Sequence, residues 1–331
     1  MEHLIIASLL EQAVSSRTYL FDEPHESAFR LFNGFYEGYP DLAIDVYGRT
    51  LVFQDYADDP AGNSSTIEAV VAKVRDELNW LRAGILKIRN GKTQTEKQGK
   101  LIFGEAPDHK IRENGIWYAL HLTMNQDAGF YLDTANLRKW LIEYMRGRSV
   151  LNTFAYTGSL GMAATAGGAS RVVQTDRGRA FLNLAKDSYA LNGFPVHKAD
   201  FIAGDFFPMV ARFKATKQLF DCVVLDPPFF ASTPKGRVDL VHESARLINK
   251  VRPLINDGGI LVAINNALFV SGGEYMRTLE DLCRDGYLSI RELIPVPQVF
   301  IGYEMVGKPI THPAPFNHST KIAVLDVRRK A

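Results

Sequence analysis

The chain has few cysteines and no long apolar run. Only Cys222 and Cys283 occur in 331 residues, which excludes a disulfide framework and a cysteine-rich zinc site. No apolar stretch approaches the ~20 residues that a membrane helix needs. Residues 1–20 carry charged side chains and lack the apolar core of a signal peptide. These absences predict a cytoplasmic protein that makes no contact with a membrane.

The chain also lacks an excess of charge of either sign, because its formal net charge is +1. A broad basic surface for nucleic acid is therefore excluded, and any contact with RNA must be local. The segment from Arg82 to Arg112 has eight basic residues against three acidic ones. It is either a local phosphate-binding surface or an ordinary solvated hairpin.

The pattern of turns and apolar residues divides the chain into three parts. Residues 1–24 are predicted to be an N-terminal helix, and residues 25–122 a small, β-rich α+β domain whose short strands are separated by Asn-Gly, Pro-Asp and Tyr-Gly turns. Residues 123–331 alternate apolar strands with amphipathic helices, which predicts an α/β fold with a mostly parallel, Rossmann-like sheet. The strands are predicted at 149–154, 171–175, 196–201, 222–225, 260–264 and 322–327, and the helices at 134–144, 159–167, 178–192, 205–214, 239–255 and 272–285.

The most informative strand is the apolar run that ends at Asp226-Pro227-Pro228. Prolines cannot continue a ladder, so the strand stops there and Phe229 and Phe230 follow in a loop. Ligands of open α/β sheets bind at the carboxyl ends of the strands. An acid, a rigid turn and two aromatic faces suit a flat nitrogenous ring, which the phenylalanines stack on while Asp226 accepts its N–H groups.

The loops after the first three strands predict a nucleoside-type cofactor. Thr157 and Gly158 lie in a strand-to-helix turn, but the G-x-G-x-x-G spacing of a dinucleotide site is absent. An acid at Asp176 suits ribose hydroxyls, whereas Asp205 and Phe206 suit the amino group and the face of adenine. S-adenosylmethionine, which needs no pyrophosphate cradle, fits this pattern better than NAD.

Several motifs resemble the bacterial large-subunit ribosomal RNA methyltransferases, which include cytosine-C5 and guanine-N7 branches. The resemblance covers residues 25–331 and implies a class I, S-adenosylmethionine-dependent methyltransferase domain after a small RNA-binding domain. It also implies ribosomal RNA as the partner, and leaves the oligomeric state open, a homodimer included. The motifs are Arg30–Gly34, Gly38–Leu42, Gly129–Asp133, Leu151–Gly158, Asp226-Pro227-Pro228 and Ala314–Lys321.

The resemblance also implies roles for individual residues. It places Asp133 and Arg138 at the closure of the cofactor pocket, which is lined by Phe154, Ala155, Tyr156, Asp176, Asp205 and Asp226. Cytosine-C5 members commonly begin with a PUA domain, whereas only a helix is predicted here before residue 25. The resemblance therefore implies that docking of RNA is weaker or is directed elsewhere.

The loop after the fifth strand separates the two branches. Cytosine-C5 members carry a nucleophilic cysteine there, because a ring carbon is methylated only after covalent attack on its neighbour. Here the loop contains Asn265-Asn266, which looks like the guanine-N7 branch. We therefore expect methylation of a base nitrogen, with Asn265 bonded to a base edge; an ordinary turn after the strand is the alternative.

Further substrate contacts are predicted at Lys235 and Arg237, which lie beyond the Pro-Pro turn and suit a substrate phosphate. No metal site is expected, because His312 and His318 lack a third ligand. Three alternatives to an RNA methyltransferase stay open. They are a methyltransferase for a protein amide or small molecule, a non-catalytic RNA-binding or assembly factor, and an NAD-dependent oxidoreductase.

The predicted absence of a cysteine nucleophile has a direct test. Replacing Cys222 and Cys283 together with serine should leave methyl transfer largely intact, although stability will fall if the thiols are buried. The measurement is the transfer rate of folded protein, with circular dichroism to verify the fold. Loss of catalysis in a folded double variant would support the cytosine-C5 mechanism instead.

Overall fold

Two sheets organise the chain, which a computed structural model describes for residues 2–303 and 306–329. Unit 1 comprises residues 1–132 and 297–308, and unit 2 comprises residues 133–296 and 309–331. Residues 123–132 and 297–308, which the sequence analysis assigned to the methyltransferase domain, thus lie in unit 1. The two units are described separately below.

Unit 1 begins with a helix and contains a mixed sheet. Its helices are α1 Glu2–Arg17, α2 Gly34–Glu37, α3 Ser64–Glu77 and α4 Gln94–Gln98, with a further short helix at Gln298–Ile301. Its strands are β1 Ala28–Asn33, β2 Leu42–Tyr47, β3 Thr50–Asp55, β4 Ala83–Ile88, β5 Lys100–Phe103, β6 Lys110–Glu113 and β7 Ile116–Ala119.

The strand order of the first sheet is β1-β2-β3-β4-β5, and β6 pairs with β7 in a separate hairpin. Strands β3 and β4 are parallel because α3 forms the crossover between them, whereas the other neighbours are antiparallel. Apolar residues of α1 and α3 share one core with the sheet, among them Ile6, Leu10, Ile67, Val70 and Val74. The predicted β-rich α+β character of this region agrees with this arrangement.

Unit 2 alternates strands and helices along most of its length. Its helices are α5 Ala135–Tyr144, α6 Ser159–Ala166, α7 Arg179–Leu191, α8 Phe206–Ala215, α9 Ser244–Val251 and α10 Gly272–Cys283. Its strands are β8 Ser149–Thr153, β9 Arg171–Asp176, β10 Phe201–Ala203, β11 Phe220–Leu225, β12 Phe230–Thr233, β13 Gly236–Asp239, β14 Ile255–Asn265, β15 Leu288–Ile294 and β16 Lys321–Val327.

The second sheet has seven strands in the order β10-β9-β8-β11-β14-β16-β15. The first five are parallel, and β16 runs antiparallel to both β14 and β15. Alternate residues of β11 enter different cores, with Val223 and Leu225 in one and Cys222 and Val224 in the other. This two-sided burial is typical of parallel sheets between helical layers and confirms the predicted Rossmann-like fold class.

The predicted bounds of two elements of unit 2 were wrong. The helix predicted at 239–255 begins only at Ser244, because the Asp239 side chain accepts the N–H groups of Val241 and His242 and forms a turn. The strand predicted at 196–201 is displaced to Phe201–Ala203 and follows a short 3-10 turn. In the described part of the chain, no helix is sufficiently long and apolar to span a bilayer.

Candidate active site

The candidate site lies at the carboxyl edge of the parallel strands in unit 2. The order of the sheet reverses between β8 and β11, and such a switch point forms a crevice in open α/β sheets. Leu225, the last residue of β11, pairs with Thr153 of β8 and with Ala263 of β14. The loops that begin at Phe154 and Asp226 therefore leave the sheet at the same level, whereas β14 continues for two more residues before its loop begins at Asn266.

The loop after β8 has an unusual backbone. Phe154 and Tyr156 have φ values of 52° and 51°, and Gly158 has φ 78° at the start of α6. A Cβ on Gly158 would lie 2.5 Å from Cβ of Ala185, so both conformation and space require glycine. Left-handed non-glycine residues cost free energy and concentrate at ligand sites, which makes this loop a candidate cofactor cradle. Ala155 and Thr157, also predicted to bind the cofactor, are buried within the loop.

Asp176 ends β9 and is fixed by two backbone groups. Its Oδ2 accepts from the N–H of Tyr156 at 2.8 Å, and its Oδ1 accepts from the N–H of Gly178 at 2.7 Å. Each carboxylate oxygen has a second lone pair, so an oriented and partly buried carboxylate can accept further hydrogen bonds from a diol. This geometry suits the ribose role predicted from the sequence.

Asp205 and Phe206 follow β10, but the two side chains differ in position. The Asp205 side chain caps α8 by accepting the N–H of Phe207 at 3.1 Å. Phe206 is buried in the core, and its ring stacks on Phe154 at a centroid distance of 4.6 Å. The structure thus places Phe154, which is only half-buried, closer to the surface than Phe206 as an aromatic face for a ligand.

Asp226 is the acid that directly follows β11. Burial, together with the nearby Asp133 carboxylate, raises the pKa of Asp226 to about 7. Its carboxylate makes no hydrogen bond with the residues that the structure describes. A partly buried acid without a donor is unfavourable in the charged form, so a ligand that supplies N–H donors would stabilise the carboxylate.

The turn after Asp226 presents aromatic surface. Pro227 is buried and Pro228 is exposed, while Phe229 and Phe230 are 43% and 55% exposed. Large exposed phenylalanines cost free energy in water, and two together indicate a surface for a flat ligand. Phe230 belongs to the β12–β13 hairpin rather than to an irregular loop.

Asn265 is not available as the sequence analysis assumed. Its side chain is 1% exposed, and its Nδ2 donates to the backbone oxygen of Leu240 at 3.2 Å and to Oγ of Ser244 at 2.9 Å. Its Oδ1 accepts from the N–H of Ala267 at 2.9 Å. The neighbouring Asn266 instead has a buried Oδ1 without a partner among the described residues. Asn266 is therefore the better candidate for a hydrogen bond with a ligand.

The predicted phosphate contacts lie on the β12–β13 hairpin. Lys235 is exposed beside the turn. Arg237 is 52% exposed at its side chain and forms ion pairs with Glu243 at 3.3 Å and Asp239 at 3.7 Å. A phosphate would have to compete with these two carboxylates for Arg237.

Arg138 is fully buried on α5, where its Nη1 donates to Oγ1 of Thr134 at 2.8 Å. Its charge therefore acts from inside unit 2 rather than from a surface. Asp133, one residue before Thr134, accepts from Oγ1 of Thr320 at 2.8 Å. This bond joins the segment before α5 with the start of β16.

The sequence analysis assigned no roles to Thr320 and Lys321. The Lys321 ammonium is fully buried and donates to the backbone oxygens of Ala267 at 3.0 Å and Ser319 at 2.5 Å. Burial lowers the pKa of Lys321 to about 8. The ammonium thereby connects the loop after β14 with the segment before β16. The loop after β14 contains Asn266. An isolated lysine among apolar strand residues was the available sequence signal.

The thiols of both cysteines have raised pKa values. Cys222 is fully buried in β11, and burial raises the pKa of its thiol to about 12. Burial also raises the pKa of Cys283 on α10. Both thiols therefore stay protonated near neutral pH, whereas a cysteine nucleophile must be a thiolate.

Comparison with known proteins identifies the family of this chain. Residues 88–290 match the model of a family described as S-adenosylmethionine-dependent methyltransferase. The chain is 28% identical over 286 residues to Ribosomal RNA large subunit methyltransferase I of Photobacterium profundum, covering 85% of this chain and 71% of that protein. It is 27% identical over 288 residues to the protein of the same name from Aliivibrio fischeri, covering 85% and 72%.

Among solved structures, SMU.776 complexed with SAH superimposes with a TM-score of 0.84. That match covers 98% of this chain and 82% of the other at 21% sequence identity, and it supports the fold. The family match extends over more than half of the chain, from β4 to β15. The chain therefore belongs to the S-adenosylmethionine-dependent methyltransferase family.

Proposed function

We propose that this enzyme methylates a base nitrogen in ribosomal RNA of the large subunit, without a cysteine nucleophile. The observation that carries the proposal is the Asp226 carboxylate, which is partly buried and without a hydrogen bond in the described chain, next to the exposed rings of Phe229 and Phe230. An extruded base offers the N–H donors and flat faces that this combination binds.

The geometry of the strand ends supports a proposed set of cofactor residues. The Asp176 carboxylate would hold the ribose diol, and the backbone of residues 154–158 would surround the remainder of the nucleoside. Asp205, with one oxygen already bonded in the helix cap, would accept the adenine amino group. When bound, S-adenosylmethionine supplies a methyl group on a positively charged sulfur.

A base nitrogen is the acceptor that these residues support best. It attacks with its own lone pair, so the protein needs only to align it and to balance charge. A ring carbon would need a thiolate, and both cysteine pKa values are raised. Asp226, Pro227 and Pro228 would orient the base edge, while Phe229 stacks on its face.

The choice of ribosomal RNA rests on the relatives. Both relatives compared above carry the name Ribosomal RNA large subunit methyltransferase I, and the chain covers more than two thirds of each. We extend that substrate to this chain, with the cytoplasm as its compartment. Lys235, on the exposed hairpin after Phe230, would contact the RNA backbone.

The role of Asp176 predicts a change in cofactor affinity. Asp176→Ala removes the diol acceptor and should weaken binding by about 1–3 kcal/mol through lost charge-assisted hydrogen bonds. Isothermal titration with S-adenosylhomocysteine measures this change, and the exposed Asp187→Ala variant on α7 is the control. An unchanged affinity for folded Asp176→Ala would contradict the ribose assignment.

The raised pKa of Asp226 predicts a pH dependence. Because the carboxylate is protonated as the pH falls through about 7, single-turnover methyl transfer should decline below that value. Asp133→Asn removes the neighbouring negative charge, lowers the pKa of Asp226 and should move the acid limb to lower pH. Asparagine can still accept the bond from Thr320. An acid limb at the same pH in this variant would contradict the coupling.

The function itself is tested by labelling. We expect methyl-labelled S-adenosylmethionine to label a purine nitrogen in large-subunit RNA from cells that lack this enzyme, as mapped by digestion and mass spectrometry. Asp226→Ala should abolish transfer and leave cofactor affinity within a few-fold. Full activity of Asp226→Ala would refute its role. Absence of label in RNA, despite cofactor binding, would instead indicate a protein or small-molecule acceptor.

A further inference from the structure

Unit 1 contains a cavity that has the features of a ligand site and shares no residue with the candidate active site of unit 2. Its volume is about 620 Å³, which is within the range of small-molecule pockets. It lies between α3 and strands β4 and β5. Its apolar walls are formed by Ile67 and Val71 of the helix and by Leu86 and Ile88 of β4.

A buried acid lies at one end of this cavity. Asp55, the last residue of β3, is 1% exposed and lines the cavity. Its Oδ1 accepts from the N–H of Ala57 and from Nδ2 of Asn63, both at 3.0 Å. Its Oδ2 has no hydrogen-bond partner among the described residues. An acceptor left in this state favours a ligand with N–H donors.

Two cations line the same cavity. Lys100 and Arg75 make no ion pair within the described part of the chain, and the Arg75 guanidinium lies 4.9 Å from the ring centroid of Phe103. Asp55 pairs with Ile88, and Leu86 pairs with Lys100, so the acid and Lys100 are two strands and two residues apart. Standard strand spacings place their Cα atoms about 12 Å apart. This separation matches the length of a nucleotide from base edge to phosphate, with side chains reaching inward.

We propose that this cavity binds a nucleotide. The base lies between α3 and β4, Asp55 Oδ2 accepts an N–H of the base, and Lys100 with Arg75 binds phosphate. The nucleotide is either a free mononucleotide or one residue of an RNA strand. In the second case the inference rests on the proposed function, because the strand would belong to the substrate RNA.

The experiment is an NMR titration of the full chain with isoleucine methyl labels. Ile67, Ile88 and Ile102 line the cavity, whereas Ile255 and Ile260 are buried in the cores of unit 2 and serve as internal controls. Saturating S-adenosylhomocysteine is added first to occupy the cofactor site. The probes are AMP, CMP, GMP, UMP and a tetranucleotide of RNA. We expect shifts at the three cavity methyl groups and none at the controls.

Two variants make the test specific. Ala72→Trp places a large ring in the cavity from an exposed position of α3, and the matched control is Asp76→Trp, an exposed position of the same helix that does not line the cavity. Ala72→Trp should weaken binding at least 10-fold, and Asp76→Trp should not. Asp55→Asn, which removes the charge but keeps an acceptor for Ala57, should also weaken it.

The outcomes separate the possible results. Shifts with mononucleotides identify a free-nucleotide site, and shifts with the tetranucleotide alone identify an RNA site. No cavity shift with any probe, or equal affinity in Ala72→Trp and the wild type, would overturn the proposal. Labelling of ribosomal RNA is measured on the same preparations. Labelled RNA without cavity binding refutes only this inference, whereas cavity binding without labelled RNA refutes only the proposed function.

Discussion

The candidate active site depends on the burial of β11 on both faces. Its side chains enter two separate cores, so a slip by one residue would exchange the residues of the two cores and disrupt the packing of both. This constraint fixes the point at which the chain leaves the sheet. Asp226 is consequently held where desolvation and a second carboxylate both oppose its charge. Our proposal of a substrate with N–H donors rests on that placement.

Features determined by neighbouring residues were predictable from the sequence. The end of β11 at a proline pair, the glycine turn before α6 and the acid at the end of β9 are local patterns, and the structure has each of them at the predicted place. The alternation of strands and helices likewise predicted the Rossmann-like sheet. The way in which these side chains bind a ligand remains our proposal, because the ends of the strands determine only where the side chains lie.

Features determined by distant residues were not predictable. The sequence predicts a hydrogen bond between Asn265 and the substrate. In the structure, the Nδ2 of Asn265 instead donates to the backbone oxygen of Leu240 and to Oγ of Ser244, which lie more than twenty positions earlier in the chain. In the same way, the bond between Asp133 and Thr320 joins residues that no spacing rule connects. Hydrogen-bond partners depend on the packed fold, and a single sequence does not specify them.

The buried ammonium of Lys321 has a consequence for how this site can vary. It holds the backbone oxygens of Ala267 and Ser319 at once, so two loops share one point of attachment. An insertion in either loop would leave a buried cation with too few acceptors unless the other loop changed in length as well. The two loops therefore have to be exchanged as a pair when the enzyme is redesigned to methylate another substrate, although more than fifty residues separate them.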